Sequence, residues 1–129
     1  MNICGIAISE NTTSIWWRHN LNQVYLTIEN LSQMSVAEAC EMIFVLKCEA
    51  DTPKKNAPDR LLAYNYGGEE LFAIMPPENY LFYRLDFHTQ SPAGVAVVCQ
   101  GESDPYGRMD WYFGINPKTG KLTKIGLAY

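Results

Sequence analysis

After Pro58 the spacing of the apolar residues changes. Leu62, Tyr64 and Tyr66 fall on alternate positions, and so do Leu81, Tyr83, Leu85 and Phe87. Successive side chains of a strand point to opposite faces, so a period of two commits the second half of the chain to β-structure. The punctuation agrees. Gly67-Gly68 supplies the positive φ of a two-residue hairpin turn, and Pro76-Pro77 stops the strand that precedes it. A long strand over 79–90 turns at Ser91-Pro92-Ala93-Gly94 into a strand over 95–100. Strands over 109–115 and 121–127 then flank Asn116-Pro117-Lys118-Thr119-Gly120, where proline fixes φ and glycine takes the left-handed position. The expectation is an antiparallel meander of five to six strands.

The first half carries a different rhythm. Trp17, Leu21, Val24, Ile28 and Leu31 follow helical spacing, and Asn20 with Gln23 forms a variant of the capping box. Val24, Leu26 and Ile28 also alternate, but the helical template collects more matches. Ser35-Val36-Ala37-Glu38 reads as a capping box opening a second helix. Val36, Ala39, Cys40, Ile43, Phe44 and Lys47 trace one face of it. The stretch 42–46 is apolar almost all round, which predicts a helix covered on more than one side. It ends near Ala50, before the proline-bearing loop 51–58. The first 20 residues have no clear period beyond a short strand over 3–8. The predicted class is α+β: one domain over 1–129, with N-terminal helices packed on a curved antiparallel β-meander.

Composition narrows the function classes. The 129 residues carry 14 acidic and 10 basic side chains, a formal charge of −4, without the basic clusters that neutralise phosphates. Nucleic acid is therefore not an expected partner. The longest apolar stretch is far below the roughly 20 residues that span a bilayer, so no transmembrane segment is predicted. No export signal is visible. The expected localisation is cytoplasmic as the sequence is given, and extracytoplasmic if a signal has been trimmed. Cys4, Cys40, Cys48 and Cys99 form no CxxC pair and read as free thiols, with Cys40 and Cys48 too far apart along one helix to bridge.

No catalytic pattern stands out. His19 and His88 are the only histidines, too few for a zinc site without further ligands. Asp86 and His88 share a strand face, which suits a solvent-facing polar ladder. Cys99 with His88 is the one nucleophile–base pairing that neighbouring strands could make. No serine motif, phosphate loop or metal-spaced acidic cluster is present. The reading is non-enzymatic, with no cofactor, no metal and no catalytic residue.

Val36-Ala37-Glu38-Ala39 on the capped helix, the strand Tyr80-Leu81-Phe82-Tyr83-Arg84-Leu85, and the run from Trp111-Tyr112-Phe113 through Asn116-Pro117-Lys118-Thr119-Gly120-Lys121-Leu122 form a pattern. Over about residues 35–125 it resembles small bacterial domains of PepSY-like or cystatin-like shape. The resemblance implies a non-enzymatic domain, often exported or membrane-attached, some members of which are thought to restrain peptidases. The extra N-terminal helix and the missing export signal depart from that family.

The aromatic residues point to binding. Trp16 and Trp17 face opposite ways in any element, as do Trp111 and Tyr112, so one core face cannot hold them all. Tyr and Trp are enriched at hot spots, and exposed loops on a scaffold carry recognition. Tyr83 and Trp111, with Asp104, Tyr106 and Arg108 from the polar loop 101–108, are the candidate binding residues. The expected function is a protein-binding or inhibitory module, immunity-type or peptidase-restraining, whose partner is another protein. The alternative is an NTF2-like pocket enclosing a small apolar ligand.

Overall fold

The structure is a computed structural model that describes residues 4–8, 14–49, 58–101 and 109–128. Among the described residues the chain forms eleven strands and no α-helix. Cys4–Ile8 (β1), Ser14–His19 (β2) and Asn22–Thr27 (β3) make a three-stranded sheet. Leu31–Ala37 (β4), Met42–Lys47 (β5), Arg60–Asn65 (β6) and Glu70–Ile74 (β7) make a second, of four strands. Tyr80–Phe87 (β8), Val95–Gly101 (β9), Asp110–Ile115 (β10) and Leu122–Leu127 (β11) make a third. Each sheet is an antiparallel meander in chain order, and the last strand of one leads into the first strand of the next.

The α+β expectation is therefore overturned in the N-terminal half. Residues 17–31 are not a helix but mainly the β2–β3 hairpin and the start of β4. Its turn is Asn20-Leu21, both at positive φ (53° and 68°), with His19 paired to Asn22. Across such a turn Trp17 pairs with Val24 and Ile15 with Leu26, on the face turned to the core. Trp17 and Val24 stand seven positions apart, which is also two helical turns. The hairpin thus counterfeits the helical period, and Leu21, expected on the apolar face, lies fully exposed at the turn.

The second expected helix is also absent. Ser35 lies inside β4, opposite Phe44, and caps nothing. Among the described residues the only helical feature is a single 3-10 turn, Glu38–Cys40, preceded by Ala37 without any side-chain cap. Glu41, at φ 54°, then turns the chain into β5. The apolar run 42–46 is the middle of the molecule. Met42, Phe44 and Leu46 face the third sheet, while Ile43 and Val45 face the first. A strand covered on both faces loses its alternation and becomes a continuous apolar run, which periodicity cannot tell from a buried helix.

Two cores follow from this stacking. Ile15, Trp17, Ile28 and Leu31 meet Ile43, Val45, Leu62, Tyr64 and Tyr66 between the first and second sheets. Phe44, Leu46, Leu61 and Ala63 meet Phe82, Val95, Val97, Cys99, Phe113 and Ile115 between the second and third. Trp17 Nε1 donates to the Tyr66 carbonyl at 2.8 Å, so the largest buried side chain leaves no orphan donor.

The six C-terminal strands lie where the period of two placed them, with one change of face, but they do not form the single expected meander: β6 and β7 complete the second sheet behind β4 and β5, and only β8–β11 form the third. The β8–β9 register slips between Phe82 and Arg84, which makes Tyr83 the extra residue of a bulge. Phe82 enters the core and Tyr83 is exposed. Gln33 of β4 braces this bulge. Its Nε2 donates to the Tyr83 carbonyl at 3.1 Å and its Oε1 accepts from the Leu85 amide at 2.9 Å. One amide side chain thus satisfies an edge of β8 that would otherwise lack a partner strand. The turn after Ile115 ends at Gly120, φ +80°, where a Cβ would stand 2.7 Å from the Phe72 ring.

Candidate functional site

The β2–β3 hairpin presents one face to the core and the other to solvent. Trp16 and Tyr25 pair across it on the outer face, their rings stacked at 5.9 Å and 15°. The Tyr25 hydroxyl donates to Ser14 Oγ at 3.0 Å, which fixes the ring, and Tyr25 is nevertheless 59% exposed. Arg18 and Gln23 occupy the next cross-strand pair and are exposed. An oriented aromatic pair flanked by a guanidinium and an amide supplies contact area and hydrogen bonding at small conformational cost.

The neighbouring margin of the second sheet is also apolar. The β6–β7 register slips between Ala63 and Tyr64, so Leu71 is the extra residue of a bulge. Phe72 points into the second core, and Leu71, Ala73 and Met75 turn to the side that carries Leu62. The first sheet covers Leu62 and Tyr64, but Leu71 remains 43% and Met75 64% exposed.

Of the candidate residues that the sequence suggests, Tyr83 and Trp111 lie at separate places in the third sheet. Trp111 faces inward and packs on the core, with Lys124 Nζ 4.1 Å above its ring and 5.1 Å from that of Tyr80. Tyr83 sits at the β8 bulge beneath the Arg84 guanidinium, 5.4 Å from its ring centre. Trp111 lies across β9 from Phe82, pairing with Cys99 as Phe82 does, so two strand spacings of about 4.8 Å separate the two sites. Asp104, Tyr106 and Arg108 lie outside the described residues. The sequence does not single out Tyr25, Trp16, Leu71 or Met75 as binding residues. The signal for the first pair was the Asn20-Leu21 turn, whose asparagine tolerates positive φ.

Two clefts open at the ends of the sheets. One, of about 390 Å3, is mostly apolar and is lined by Val36, Ala37 and Ala39 on one side and by Phe87, Ala93 and Val95 on the other. Phe87 is 72% exposed at its mouth. The other, of about 450 Å3, is polar and holds His19, Cys40, Glu41, Asn65 and Tyr66. His19 meets Tyr66 edge-on at 5.7 Å, and Asn20 Nδ2 lies 3.2 Å from its Nε2. Burial pushes the Cys40 thiol up, so it stays protonated at neutral pH and is a poor nucleophile. Among the described residues no group of three His, Cys, Asp or Glu side chains could hold a metal ion, and no helix is long and apolar enough to cross a membrane.

Comparison with protein-family models, with curated proteins and with solved structures returns no match.

The conjectured Cys99–His88 pair is not assembled. Cys99 points into the core opposite Phe82 and Trp111, whereas His88 lies beyond the far end of β9, its amide bonded to Gly94, with its ring 4.6 Å from Tyr112. Asp86 shares that outer cluster, accepting from the Tyr112 hydroxyl at 3.3 Å and pairing with Arg84 at 3.6 Å. Cys40 and Cys48 do not share a helix either: one closes the 3-10 turn and the other follows β5.

Burial pushes Cys99 up to about 12, and burial followed by the Glu70 carboxylate pushes Tyr64 up to about 12. Both groups are neutral when protonated, and unfolding returns them to ordinary values near 9 and 10. The unfolded chain therefore releases its protons first as pH rises. The stability that these two groups contribute is fully present below about pH 9 and is lost between pH 9 and pH 12. Urea midpoints measured across that range are expected to decline, and Cys99→Val is expected to flatten the early part of the decline.

Proposed function

We propose that the protein is a non-enzymatic protein-binding module and that the outer face of the β2–β3 hairpin meets the partner. The stacked Trp16–Tyr25 pair carries this reading, because it is an exposed aromatic anchor already held in one orientation. An inhibitory role, immunity-type or peptidase-restraining, is the form of binding proposed; the PepSY-like or cystatin-like resemblance does not support it, because the capped helix at 36–39 that carried it is the end of β4 and a 3-10 turn. The experiment is quantitative affinity capture with wild-type protein, Tyr25→Ala and Phe87→Ala. A partner retained by wild type and Phe87→Ala but lost about tenfold or more with Tyr25→Ala supports the reading. Equal retention by all three overturns it.

A second reading is supported by the apolar cleft at Phe87. Strand ends and the 3-10 turn form it, and among the described residues there is no α-helix to close a pocket of NTF2-like shape. Its volume suits a small apolar molecule. A ligand raising the melting temperature of wild type but not of Ala39→Trp would favour this reading over the first.

A further inference from the structure

We infer that the cleft at Phe87 takes a small molecule with an apolar body and a cationic amine head, the amine held at the rim by the Glu38 carboxylate. This inference rests on the small-molecule reading of that cleft and names the chemistry of its occupant. The cleft lies between two turns. On one side the chain leaves β4 through the 3-10 turn Glu38–Cys40, and on the other it passes from β8 to β9 through the turn at 88–94. Cys40 stands between them, its Sγ 3.7 Å from the Ala37 carbonyl and 3.7 Å from the Ala93 carbonyl. Ala37, Ala93 and Val95 also belong to one core, so both walls are in place before a ligand arrives. A preformed site lowers the conformational cost of binding.

Floor and rim differ in chemistry. Ala37, Ala93 and Val95 are buried at the floor, and their side chains are wholly apolar. Glu38, Ala39 and Phe87 are exposed at the rim. An apolar body is therefore favoured on the floor, with a polar end kept at the rim. Among the described residues Glu38 is the only charged one that lines the cleft, and its carboxylate enters no ion pair there. Neither β4 nor β9 contains a lysine or arginine. The one cation of β8 is turned away: Arg84 lies on the opposite face of the strand from Phe87, paired with Asp86 at 3.6 Å. The field around the 3-10 turn has the same sign, since after burial it is the Glu38 and Glu41 carboxylates that push the Tyr66 hydroxyl up. The exposed Phe87 ring adds a face that attracts cations. A carboxylate head would be repelled by Glu38, and an uncharged head would lack the attraction to the ring. An ammonium head is drawn by both rim groups.

The probes are hexylamine, hexanol and hexanoate, which share a chain and differ in head-group charge at neutral pH. Amide chemical shifts are followed as each is titrated into the full chain. Hexylamine is expected to bind about threefold or more tighter than hexanol, with hexanoate weakest. The shifts should centre on Ala39, Phe87, Gly94 and Val95. Glu38→Gln changes an exposed side chain and should remove most of the preference for the amine while leaving hexanol binding unchanged. If hexanol or hexanoate binds as tightly as the amine, or the preference survives Glu38→Gln, the inference is overturned and the small-molecule reading stands. Shifts centred away from the cleft, or no binding by any of the three, would sink both.

Discussion

Replacing Phe44 by alanine is expected to cost about 3–5 kcal/mol, and replacing its neighbour Ile43 about 2–5 kcal/mol. The pairing of the two is the informative part. Phe44 enters the core shared with the third sheet, packing near Phe72 at a ring distance of 6.3 Å, whereas Ile43 enters the core shared with the first. Adjacent residues of a strand with one wet face cannot both be costly, because one of them points to solvent. Here both are wholly buried, as are Val45 and Leu46 after them. Urea unfolding of the two single variants checks this. A neutral result at either position would contradict the central placement of β5. The double variant should fall below the threshold for folding, since domains of this size hold only about 5–15 kcal/mol in total.

Trp17→Ala is expected to cost about 3–5 kcal/mol, and Trp17→Phe about 1–3 kcal/mol. The larger change empties the space between the first and second sheets, where Trp17 is wholly buried beside Ile15 and Tyr66. The smaller change keeps most of the apolar contact but removes the indole donor, leaving the Tyr66 carbonyl without its 2.8 Å bond. Trp16→Phe, one residue away on the outer face, is the control and should move the urea midpoint little. A shift at Trp16 as large as that at Trp17 would mean that the two faces of β2 have been misassigned.

The sequence surrendered the binding surface only in pieces. That Trp16 and Trp17 must face opposite ways was legible from their adjacency, and so was the divergence of Trp111 and Tyr112. Which member of each pair stays outside was not legible, because that depends on what is stacked behind the sheet. Tyr83 illustrates the difficulty. Strict alternation places it with Leu81 and Leu85, but the bulge held by Gln33 exposes it while Phe82 enters the core. Gln33 lies 50 positions away in the chain, beyond any local pattern.

The opening change of period at Pro58 is borne out in the strands that follow it, from β6 to β11. Their turns carry residues whose backbone preferences act locally: Gly68 at φ 90°, Gly94 at φ 77° and Gly120 at φ 80°. Those positions need no tertiary partner to be read. Before Pro58 the same logic fails for two physical reasons. A hairpin turn at Asn20-Leu21 sets Trp17 and Val24 on one face at a separation that a helix also produces. A strand buried between two sheets has no solvent side, so β5 shows no alternation to read. The sequence by itself determined the turns after Pro58 and the strands that those turns bound. Only the tertiary structure decided that a third sheet lies over the second, and that stacking is what converts the apolar run 42–46 from a helix into the central strand of the molecule.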